Sequence, residues 1–116
     1  MNPTRFLAGV LLGGAAAVSL PVHAADAGDP VAGRSKNTMC IGCHGIPGYN
    51  TAFPDVYHVP RIGGQHAAYI VKALQQYKAG NRSHPSMRAI AAGLSDKDMA
   101  DLAAYYAAES TTTAAK

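Results

Sequence analysis

Residues 40 to 45, "CIGCHG", hold both cysteines of the chain, with a histidine directly behind the second. On a helix turning 100° per residue, Cys43 lies about 60° behind Cys40 and His44 about 40° ahead of it. Both sulfurs and the imidazole then share an arc of about 100°. Two thiols on one side of one turn can form thioether bonds to the two vinyl groups of a haem. The following histidine is carried under the ring to bind the iron, and C-x-x-C-H is the spacing of a c-type haem attachment. The expectation is one covalent haem c, tethered by Cys40 and Cys43 with His44 as an iron ligand. A closed zinc site would need two more ligands at short spacing. His58, His66 and His84 lie 8 and 18 residues apart and give no such pair. A dithiol redox pair would call for a βαβ setting that the sequence lacks. A structural disulfide is the remaining competitor.

An iron held by one histidine has an open sixth position, and its occupant decides the function. Gas-binding and oxygen-activating haems leave it free, whereas electron carriers close it, often with methionine. Met39 directly precedes Cys40 and so belongs to the attachment side. Met99 shares a helical stripe with Leu102 and Tyr106, where a core role is the default. Met87 lies 43 residues beyond His44, after Pro85, in a connection that could form the opposite wall. Geometry favours Met87, with His84, His66 and His58 as alternatives that would make a bis-histidine iron.

The elements that must position these residues read as helices. Asp29-Pro30 is a helix opening, with Asp as N-cap and Pro at the first helical position. "VAGRSKNTMC" then runs helically into Cys40, and Gly45 ends that helix. The stretch from Gly45 to Gly64 contains Pro47, Pro54 and Pro60 and is too broken for a helix or a central strand. A loop of that length in so small a domain is expected to wrap something. Ala67, Ile70, Val71, Leu74 and Tyr77 recur with helical period, and Gly80 closes that helix. A helical scrap follows Pro85 and ends at Gly93. Ser95 and Asp98 resemble a capping box opening a last helix whose stripe is Met99, Leu102, Ala103 and Tyr106. The expectation is an all-α chain of three main helices plus a short one, with no convincing strand.

Length and composition set limits. At 116 residues there is at most one domain. Arg5, the fifteen uncharged residues Phe6 to Leu20 and the small-residue site around Ala24 read as a secretory leader. Fifteen residues of helix span only about 22 Å, short of the roughly 30 Å membrane core. The expected division is a signal peptide at 1–24 and a domain at 25–116, its core about 29–108 and its tail polar. Removing Arg5 leaves nine Lys/Arg against seven Asp/Glu, a net charge near +2. The basic residues are scattered, which argues against a nucleic-acid partner. There is no tryptophan and the apolar core is thin, so a group bound inside would complete it. Tyr49, Phe53 and Tyr57 in the long loop are the aromatics available to cover such a group.

The stretches "CIGCHG", "VPRIGGQHAAYIVKALQQYKAGNRSHPSM" and "LSDKDMADLAAYYA" together resemble small class I bacterial cytochromes c, similar to cytochrome c4 halves and cytochrome c553. With the first helix they cover nearly all of Asp29 to Ala108. The resemblance implies the class I fold, in which the first and last helices cross at one side of the haem. Gly33 would allow close backbone approach there, and Tyr105 would pack at the crossing. It implies Cys40 and Cys43 as thioether attachments, His44 as proximal ligand and Met87 as distal ligand, with Pro60 and Tyr69 lining the haem pocket. Unlike the two-haem cytochromes c4, this sequence carries one attachment motif, and its loop from Ile46 to Val59 is long. The function so implied is one-electron transfer in the bacterial periplasm, with no substrate chemistry of its own. The partners would be redox proteins: a membrane oxidase, a cytochrome bc1-type complex or a periplasmic dehydrogenase. The alternatives are a haem subunit docked on such a dehydrogenase and a haem sensor or gas-binding module.

Overall fold

The computed structural model describes residues 27–52 and 56–113. The expected leader, its cleavage point after Ala24, Phe53 and the last three residues lie outside them. The elements run α1 (Pro30–Lys36), α2 (Thr38–His44), β1 (Asn50–Thr51), β2 (Tyr57–His58), α3 (Ala67–Ala79), α4 (Pro85–Ala92) and α5 (Asp96–Thr113). Three main helical segments and a short one match the expectation, with two corrections. The first helix is broken at Asn37, where the chain makes a turn between α1 and α2. The long loop also contains a two-stranded antiparallel ladder, pairing Asn50 with His58 and Thr51 with Tyr57, where no strand was expected.

Local chemistry explains most boundaries. Asp29 caps α1 by accepting from the Val31 amide at 2.8 Å, and Pro30 occupies the first turn. Gly80 ends α3 in the left-handed conformation, φ 82°, which a side chain at that position would strain. Ser95 and Asp98 form a reciprocal capping box. The Asp98 carboxylate accepts from the Ser95 amide at 3.0 Å, and the Ser95 hydroxyl accepts from the Asp98 amide at 3.1 Å.

The core gathers on α5. Met99, Leu102, Ala103 and Tyr106, the stripe read from sequence, are all buried, and Met99 packs with Ile70 and Leu74 of α3. Each large apolar side chain so buried contributes about 2 kcal/mol. α5 also packs against α1, while α3 packs against α4. At the α1–α5 crossing the two backbones nearly touch. A Cβ at Gly33 would collide with the Asp101 carbonyl and with Cβ of Tyr105, as expected for both residues, and one at Gly28 would collide with the Ala100 carbonyl.

An ion cluster locks the same crossing. Asp101 is 1 % exposed, yet its carboxylate accepts from the Asp29 amide and the Lys36 ammonium, each at 2.8 Å, and from Lys97 at 2.5 Å. Lys36 also reaches Asp98 at 2.7 Å. Lys36 beside them holds both carboxyls well below the usual carboxylate range, while they in turn raise the Lys36 ammonium. Asp101 sits among the apolar residues of α5 and was not singled out by sequence. Its only signal was Lys97 four residues earlier, a spacing that usually marks a solvated face.

Candidate functional site

α2 sets the attachment motif on one turn, closed by Gly45, whose amide bonds back to the Ile41 carbonyl while the following Ile46 amide bonds to that of Cys43. Cys40 and His44 face an apolar cleft at the heart of the molecule. The other walls come from Ile62 before α3, Ile70 and Leu74 of α3, Met87 and Ile90 of α4, and Leu102 and Tyr106 of α5. Cys43, one turn from Cys40 on α2, is half-buried and not on the cleft wall, and neither cysteine is in a disulfide. Residues from four helices and 66 positions of sequence, Cys40 to Tyr106, thus converge on one space.

The orientation of His44 is fixed from behind. Its Nδ1 lies 2.6 Å from the Pro60 carbonyl oxygen, which can only accept, so Nδ1 carries the proton and donates it. Nε2 is left with the free lone pair that a metal requires. Pro60 therefore serves the site through its backbone, and its ring is exposed.

Met87 is presented by the first turn of α4. The helix is capped by His84, whose Nδ1 accepts from the Met87 amide at 3.4 Å. Of the other methionines, Met39 is 68 % exposed on the outside of α2, and Met99 is wholly enclosed in the α3–α5 core. His58 pairs with Asn50 on the hairpin, His66 precedes α3 and His84 caps α4; none of the three lines the cleft. Tyr69 is 53 % exposed and is not on its wall either. A larger open groove of about 420 Å³ flanks α4, lined by Tyr77, Lys78, His84 and Arg88 among others, and contains neither cysteine nor Met87.

Two further features suit the cleft to a large apolar group. The Tyr106 hydroxyl is buried there with no hydrogen-bond partner of good geometry, although it lies near the Cys40 thiol. An orphan of this kind points to a partner outside the polypeptide. Burial pushes the Cys40 thiol up, against a smaller downward pull from Tyr106, so the sulfur rests as a neutral thiol. Burial likewise raises the Tyr106 phenol. A donor set of two thiols, one imidazole and one thioether on otherwise apolar walls fits a covalently held haem.

Residues 33–107 match the Cytochrome c family. The chain belongs to that family. It is 43% identical over 89 residues to cytochrome c4 of Thiocapsa roseopersicina, an alignment covering 76% of this chain and 44% of the relative. It is 40% identical over 86 residues to cytochrome c-554(548) of Halomonas halodenitrificans, covering 72% of this chain and 99% of that protein. The reduced recombinant cytochrome c4 of Pseudomonas stutzeri superposes with a TM-score of 0.51 at 31% identity, over 69% of this chain and 49% of that one. The chain thus spans under half the length of the cytochrome c4 relative, and almost all of the smaller one. The fold is the class I cytochrome c fold, and the cofactor is covalent haem c at the Cys40/Cys43 motif. Among the described residues, no helix is long and apolar enough to cross a membrane.

Proposed function

We propose that this cytochrome c is an exported one-electron carrier whose iron is bound by His44 on one side and Met87 on the other. The observation that carries the reading is the convergence of Cys40, His44 and Met87 on one apolar cleft, with every other histidine and methionine of the described residues off its wall. Haem c supplies the reversible one-electron couple. The chain's own residues decide how that couple is used.

Cys40 and Cys43 tether the group to α2. His44 offers Nε2, held in register by its bond to Pro60. The soft sulfur of Met87 favours the reduced iron, and the apolar walls disfavour the additional charge of the oxidised state, so both push the potential upward. With the His44 imidazole and the Met87 thioether both holding the iron, no position would remain for a small-molecule substrate. This favours a carrier over an enzyme, a sensor or a gas binder. The leader at 1–24 and the domain at 25–116 belong to the same reading, which places the carrier in the periplasm between redox proteins.

Optical spectra of the purified holoprotein in both oxidation states test it. A Met-to-iron charge-transfer band should be present when oxidised, and carbon monoxide should bind the reduced form slowly. Met87→Ala should abolish the band, lower the reduction potential and open the iron to small ligands. If Met87→Ala kept the band, the axial assignment would be wrong.

A further inference from the structure

The hairpin inside the long loop reaches the turn that presents Met87. Tyr57 of β2 sets its ring edge-on against the His84 imidazole, with centroids 5.1 Å apart and planes at 77°. His84 in turn holds the Met87 amide through Nδ1. Accepting at Nδ1 requires the neutral imidazole with its proton on Nε2. The same turn is gripped from α3: the Arg82 guanidinium lies 4.8 Å over the Tyr77 ring, and the Tyr69 hydroxyl beside it raises the Arg82 pKa further. Tyr57 is 55 % exposed, so core packing does not account for its placement.

We propose that Tyr57 and His84 form a clamp through which the hairpin holds the Met87 turn in place, which makes both of them positioning residues for the axial sulfur. The inference rests on the reading of Met87 as ligand. A thioether binds oxidised iron weakly, because its softness favours the reduced metal. An added ligand competes for the same position, and its apparent affinity scales with the fraction of molecules whose sulfur has swung away. An aromatic edge contact that biases the turn toward the iron therefore appears directly in that affinity. It also gives the long loop a role on the distal side of the haem.

The test is a titration of the oxidised holoprotein with free imidazole, read beside the intensity of the Met-to-iron band. Tyr57→Ala should raise imidazole affinity roughly three- to tenfold, the range that such a ring contact supports, and weaken the band. Tyr57→Leu, which keeps apolar bulk without a ring, should do the same and serves if the alanine variant folds poorly. Tyr57→Phe should restore the parent values. Imidazole affinity within twofold of the parent in both Tyr57→Ala and Tyr57→Leu would overturn the clamp while leaving the axial assignment intact. A Met87→Ala protein that retained its band would overturn both.

Discussion

The two ends of this molecule are held by different means. At the α1–α5 crossing the chain supplies everything: two glycines that let backbones touch, a buried carboxylate bonded to two lysines and an amide, and a packed stripe of α5. On the Met87 side the elements are short and the contacts are few. A ring edge, a cap, a cation over a ring and two amides on the Gln76 carbonyl hold that turn, beside a hairpin of two residue pairs. The first region is built to be invariant. On the proposed reading the second would be completed by the cofactor, and its geometry would then set the properties of the iron.

Substitutions can break that contrast. Gly33→Ala should have the largest effect, a loss of about 4 kcal/mol or failure to fold, because the new methyl meets backbone that cannot give way; a chemical melt of the holoprotein measures it. Met99→Ala should cost about 3 kcal/mol through the cavity it leaves, yet leave the reduction potential near the parent value. A potential that fell with Met99→Ala would erase the distinction between the two ends. Asp101→Asn should act mainly through pH. The folded carboxyl is depressed below its ordinary 3.8, so its contribution is present above that value and is lost as pH falls through the folded pKa. The parent should therefore lose stability in acid below about pH 4, and the variant should show a flatter acid limb in melts across pH. The smallest effect belongs to Val56→Ser beside β2. Val56 is 80 % exposed, and the change should stay within about 0.5 kcal/mol.

The division also explains what the sequence disclosed. The attachment motif, the caps at Asp29 and Ser95, the stop at Gly80 and the stripe of α5 are local signals, and each appears where local chemistry put it. Gly33 and Tyr105 were placed by resemblance to a family rather than by pattern. What stayed hidden depends on partners far along the chain. The break at Asn37 carries no local stop signal such as Gly or Pro, and Asn37 is buried there against the rest of the fold. Asp101 looked like one more charge on a helix, because the Asp29 amide that donates to it and the Lys36 ammonium that neutralises it lie 72 and 65 residues away. The hairpin escaped because two-residue strands carry no period to read. The Pro60 carbonyl escaped because sequence lists side chains, and the bond to His44 is made by backbone.

The tie between Asp29, Lys36 and Asp101 also determines what a nick would do. Proteolytic cleavage beside the exposed Gly48 would sever the polypeptide without separating its pieces, since the amino-terminal fragment would stay fastened to α5 and, through its thioethers, to a porphyrin gripped by the carboxy-terminal fragment. The fragments should migrate as one coloured species in native gels and part only in denaturant.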